Sequence, residues 1–139
     1  MPRSLSVLFV DDDLNLIESI VQEVEYLGHS VTQCSTVSAA VRAFRSKQFD
    51  VVVTDLSMPS SRLLRAQSRR PIRSGLGGIA FANWVRRSSP TTPIIIWSGL
   101  PYNRLEIENQ PLVFRFLRIW QRDLVRQIQH LASDDLSHV

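Results

Sequence analysis

FDVVVTD, residues 49–55, sets three valines in a row between two acids. A strand with one wet face alternates apolar with polar residues. Three consecutive valines instead need cover on both faces, which marks a central strand of a parallel sheet. Working outward, VLFV at 7–10 reads as a first strand, VTQC at 31–34 as a second and PIIIWSG at 93–99 as a fourth. Leu14, Ile17, Ile20, Val21, Val24 and Leu27 recur at helical spacing between the first two, and Gly28 offers a C-terminal stop. A second helix carries Ala39, Ala40, Val41, Ala43 and Phe44, with Ser35, Thr36 or Ser38 to cap it. A third helix is expected over about 79–87, a weak fifth strand (RLEI) at 104–107 and a last helix over 112–131. Strands alternating with helices specify a doubly wound parallel α/β sheet with right-handed crossovers.

The chain of 139 residues, 44% apolar and 21% charged, suits one domain with a real core, spanning 1–139. A single cysteine, Cys34, excludes an internal disulfide framework and suits a reducing compartment. No stretch has the length of a membrane span or the form of a secretory signal, so the expected location is the cytoplasm. Net charge is +3, and of 16 basic residues only Lys47 is a lysine. Five arginines (Arg62, Arg65, Arg69, Arg70, Arg73) crowd an Arg-rich loop insertion at about 60–77, which reads as surface loop or as a docking segment for an acidic partner. On the expected last helix, Arg115, Arg118, Arg122 and Arg126 form a stripe opposite the apolar side. No helix-turn-helix or aromatic RNA-binding motif accompanies these arginines, so nucleic acid is not an expected partner.

Ligands of an open parallel sheet gather beyond the carboxyl ends of its strands. Here the first strand ends in Asp11–Asp12–Asp13, the third in Asp55 and the fourth in Ser98. In the flavodoxin-like order 2-1-3-4-5, the first and third strands are neighbours, which brings Asp11 and Asp12 against Asp55. Such crowding is unfavourable unless a raised pKa or a hard cation offsets it. Mg2+ accepts oxygen ligands and keeps several waters, so one or two carboxylates suffice. A carboxylate beside that ion can attack phosphorus and become an aspartyl phosphate, and a hydroxyl at Ser98 can donate to a phosphoryl oxygen. Asp13 reads separately, as an acid at a helix start favoured by the dipole.

VLFVDDD, DVVVTDLSMP and PIIIWSG, in this order and spacing, resemble the receiver domain of two-component response regulators. The resemblance implies that Asp12 is the main Mg2+ ligand and Asp11 an outer or water-mediated one. The backbone carbonyl of Ser57 would complete the metal shell. It also implies that Asp55 accepts a phosphoryl group from a histidine kinase or phosphotransfer protein, and that Ser98 is the switch hydroxyl. A protein of this kind is a phosphoacceptor in a phosphorelay, not an enzyme, and a single-domain one signals through protein–protein contacts with a downstream target.

The sequence also departs from the family. The usual lysine–proline at the end of strand five is matched by Gln110–Pro111, and Ile107 stands where an aromatic switch residue is expected. An amide donates a hydrogen bond but brings no positive charge to a phosphorylated Asp55; Arg104 or Arg115 would be the cations within reach. Eleven residues between Ser98 and Gln110 leave helix four shortened or absent, and the exposed sheet flank is then open to a second copy as a homodimer. Eighteen residues between Pro59 and Gly78 replace a short turn. These departures favour an alternative, a phosphorylation-independent receiver-like interaction module.

Overall fold

The computed structural model describes residues 3–56, 58, 77–98, 113–117 and 121–133. They form β1 (Ser6–Val10), α1 (Leu14–Tyr26), β2 (Ser30–Cys34), α2 (Val37–Ser46), β3 (Val51–Thr54), α3 (Gly77–Ser88), β4 (Ile94–Ser98), β5 (Val113–Leu117) and α4 (Gln121–Ser133). The strands make one five-stranded sheet in the order β2-β1-β3-β4-β5, every pair parallel. The expected fold class and strand order are therefore those observed.

Strand residues divide by parity, as a two-faced sheet requires. Val7, Phe9, Val51, Val53, Ile95 and Trp97 pack on one face with Ile17, Ile20 and Val24 of α1 and Leu124 and Ile128 of α4. Leu8, Val10, Val52, Ile94 and Ile96 pack on the other with Val37 and Val41 of α2 and Ile79, Phe81 and Val85 of α3. Both layers are dry, which explains why VVV and III show no alternation. Residues 77–86 of α3 are all buried, so this helix is enclosed on every side. At its far end Arg86 is 2% exposed and donates through Nη1 to the Pro90 carbonyl at 2.7 Å, and burial lowers its pKa.

The turns follow local chemistry. The Asp13 carboxylate caps α1 by accepting from the Leu16 N–H at 3.1 Å, and Thr36 caps α2 by accepting from the Ala39 N–H at 3.1 Å. α1 stops in a Schellman arrangement: Gly28 N–H donates to the Glu25 carbonyl and His29 N–H to that of Val24. Gly28 adopts φ of 101°, open to glycine at no steric cost. His29 then accepts the Leu5 N–H on Nδ1 at 3.0 Å, which leaves Nε2 to donate to Gln129 Oε1 at 2.8 Å. That ring ties the start of β1 to α4.

The C-terminal third corrects two expectations. The fifth strand is Val113–Leu117, not residues 104–107, and the last helix begins at Gln121, not at 112. Val113, Phe116 and Leu117 fit helical spacing together with Leu124 and Ile128, but VFRFL is also rich in β-prone residues. A partner strand of isoleucines decides between the two, Ile94 pairing Val113 and Ser98 pairing Leu117. The four-arginine stripe is accordingly not one helix face, because Arg115 belongs to β5 while Arg122 and Arg126 belong to α4. The Arg-rich insertion and the region expected to lack a full fourth helix lie outside the described residues.

Candidate functional site

β1 and β3 are neighbours in register Val10 to Thr54, so the residues that follow them emerge side by side at the carboxyl edge of the sheet. Asp55 N–H donates to the Val10 carbonyl at 2.9 Å and Asp11 N–H to that of Cys34 at 3.1 Å, which carries the ladder one step beyond the strands. Each of Asp11, Asp12 and Asp55 offers one carboxylate oxygen, and these atoms all lie within 4.8 Å of one another. Asp11 and Asp55 are buried, at 0% and 3% exposure, while Asp12 is exposed. The Asp13 N–H donates to Asp11 Oδ1 at 2.9 Å. The acid triplet is thus split by role: Asp11 and Asp12 turn to the cluster, and Asp13 serves the helix.

Three oxygens from three chain positions, two of them withdrawn from water, fit a hard divalent cation such as Mg2+, which takes carboxylates and keeps waters for its remaining positions. An exposed carboxylate on one side leaves the cluster open to solvent and to an incoming group. An open depression of about 620 Å3, lined by Asp12, Asp13, Leu14, Asn15 and Ser35, lies at its mouth.

Ser98 ends β4 at the same carboxyl edge, two strands from β1, and Leu117 ends β5 beside it. Ser57 and Gln110 lie outside the described residues. In chain order Gln110 precedes β5, which starts at Val113. The residue directly after Leu117 is Arg118.

Two contacts at the site were not read from the sequence. Thr54 Oγ1 donates to the Asp55 carbonyl at 3.0 Å. Gly78, 23 positions after Asp55, packs so closely that a Cβ there would fall 1.6 Å from the same carbonyl oxygen. The paired glycines at 77 and 78 were its one sequence signal, and nothing local says what they approach.

A doubly wound sheet with carboxylates converging beyond its switch-point strands defines the class as a flavodoxin-like domain with an acidic cluster at the carboxyl edge of its sheet. Within that class, the model of the response regulator receiver domain matches residues 7–69. The virulence sensor protein BvgS of Bordetella pertussis is 36% identical over 74 residues, which are 49% of this chain and 6% of BvgS. The chain thus matches only a small part of that relative's length. Among solved structures, response regulator TrrA of Thermotoga maritima in complex with Mg2+–BeF is 19% identical, with TM-score 0.68 over 91% of this chain and 98% of that one. TrrA is also solved in complex with the histidine kinase ThkA. The chemotaxis response regulator CheY4 of Vibrio cholerae is 18% identical, with TM-score 0.69 over 93% of this chain and 99% of that one. These likenesses show the shared fold across nearly the whole chain.

Proposed function

We propose that this chain is a phosphoacceptor: Asp55 takes a phosphoryl group from a histidine kinase or phosphotransfer protein, and the protein signals through contacts with another protein. The observation that carries this reading is the convergence of Asp11, Asp12 and Asp55 within 4.8 Å at the switch point of the sheet. A Mg2+ ion held by Asp11, Asp12, Asp55 and the Ser57 carbonyl supplies the charge that offsets repulsion between carboxylate and phosphoryl oxygens. Asp55 attacks in line: its Oδ–P bond forms as the bond from phosphorus to the donor nitrogen or acyl oxygen breaks, and the electron pair leaves with the donor. Ser98 donates its hydroxyl to a phosphoryl oxygen. Arg118, which follows Leu117 at the carboxyl end of β5, supplies the cation for which Gln110 was a poor substitute. The resulting module is a signalling protein whose only reactions are its own phosphorylation and dephosphorylation.

The kinase-bound TrrA supports a histidine kinase as the class of donor, and TrrA with Mg2+–BeF supports the ion. The phosphorylation-independent alternative rests on Gln110, Ile107 and the shortened fourth helix; the two residues precede β5, and the helix region lies outside the described residues. The test is labelling by acetyl phosphate, read by mass. Wild type gains one phosphoryl group only with Mg2+, Asp55→Asn gains none, and Arg118→Gln gains less than wild type. Labelling that persists in Asp55→Asn sinks the acceptor assignment, and undiminished labelling in Arg118→Gln removes the part given to Arg118. A wild type that neither responds to Mg2+ nor takes label is the interaction module instead.

A further inference from the structure

We propose that Gly77 and Gly78, far from the acids in sequence, are positioning residues for the metal site. This rests on the reading that Asp11, Asp12 and Asp55 hold Mg2+, and it adds what fixes the loop that completes the site. The first amides of a helix have no partner within it and must be satisfied elsewhere. In α3 two of them go to the acidic loop: Gly77 N–H donates to the Met58 carbonyl at 2.6 Å and Gly78 N–H to the Leu56 carbonyl at 3.2 Å. Met58 N–H donates to the same Leu56 carbonyl at 3.0 Å. Leu56 and Met58 flank Ser57 in the chain, so the helix engages the carbonyls on both sides of the one proposed to face the ion.

The same helix start presses on Asp55 itself. A Cβ at position 78 would lie 1.6 Å from the Asp55 carbonyl oxygen, 2.6 Å from its carbon and 2.8 Å from Leu56 Cα. All three are backbone atoms, so no side-chain rotation relieves the overlap. The Asp55 N–H donates to the Val10 carbonyl and the Asp55 carbonyl accepts from the Thr54 hydroxyl, so the residue is anchored through both of its peptides. Any side chain at 78 must therefore displace the Asp55–Leu56 peptide or push α3 away from it. Mg2+ demands near-ideal octahedral geometry at about 2.0–2.1 Å, so a shift of even half an ångström at one donor weakens binding. Glycine at 78 is thus required by the geometry of the acid, beyond any need of helix α3, in which glycine is unfavourable.

The test is Mg2+ binding, followed by tryptophan fluorescence with Trp97 next to Ser98 as reporter, alongside urea unfolding. Gly78→Ala is expected to weaken Mg2+ affinity at least tenfold. Val85→Ala, a cavity mutation further along α3, destabilises the fold but leaves affinity within twofold of wild type. Thr54→Val, nearly isosteric and buried, removes the hydroxyl that donates to the Asp55 carbonyl and weakens affinity by a smaller factor. If Gly78→Ala fails to fold, Thr54→Val decides alone, and unchanged affinity in it overturns the proposal. Wild-type affinity in folded Gly78→Ala overturns it, as does an equal loss in Val85→Ala, which would mark a general effect of stability. Absence of any Mg2+ response in wild type overturns the metal reading itself, and is seen before any variant is made.

Discussion

Cys34 closes β2 opposite Val10, and burial pushes its thiol above the ordinary value of 9.0, with Arg42 nearby opposing the shift. A raised folded-state pKa means that the unfolded chain ionises first as pH climbs. The stabilisation from this group is therefore complete below about pH 9 and is lost as the pH rises through the folded value. Wild type should lose unfolding free energy more steeply than Cys34→Ala above about pH 9, by up to roughly 1.4 kcal/mol per pH unit. Urea midpoints across that range check it, and parallel slopes for the two proteins contradict it. Residues whose work is local were legible in the sequence: Asp13 as a helix-start acid, Thr36 among three cap candidates, Gly28 as a stop. Gly78 was not, because its constraint comes from a backbone atom 23 positions away.

At the scale of elements, β1 to β4 and the first three helices stood out because each is bounded by turn chemistry and has one unambiguous period. β5 did not, since VFRFL satisfies both a strand and a helix, and its neighbour in the sheet breaks the tie. Misplacing that strand also misplaced the end of the sheet. The long insertion is an easier case, because its base is fixed. Gly77 N–H donates to the Met58 carbonyl, so removing residues 61–76 leaves Met58-Pro59-Ser60-Gly77, with that bond as the closing contact of a four-residue turn. Proline at the second position of such a turn is favoured, and a shorter loop costs less closure entropy. The deletion is expected to fold with stability equal to or above wild type and to keep Mg2+-dependent labelling by acetyl phosphate. Loss of labelling in a folded deletion variant would show that the insertion completes the site.

Across the whole molecule the fold sets stability against function at one edge. Two dry layers hold the sheet, and the switch point forces three carboxylates within 4.8 Å of one another. Two unit charges about 5 Å apart repel by roughly 3 kcal/mol at an effective dielectric of 20, and solvent at exposed Asp12 reduces this to about 1 kcal/mol for pairs that include it. Without a cation this repulsion opposes the folded state. Asp55→Asn removes one charge while keeping a side chain of the same shape, so it should raise the melting temperature of the metal-free protein. Mg2+ binding to the native state adds about 2.7 kcal/mol at a hundredfold excess over its dissociation constant, which amounts to several degrees for a chain of this size. Wild type should gain that increment on titration with Mg2+, and Asp55→Asn should gain much less of it. The order of melting temperatures is thus expected to invert: the variant above wild type in EDTA, and wild type level with or above it in excess Mg2+. Thermal unfolding of both proteins under the two conditions decides this. A metal-free variant that melts below wild type would mean that contacts of the Asp55 carboxylate outweigh the repulsion, and that the acids are stabilising before any ion arrives.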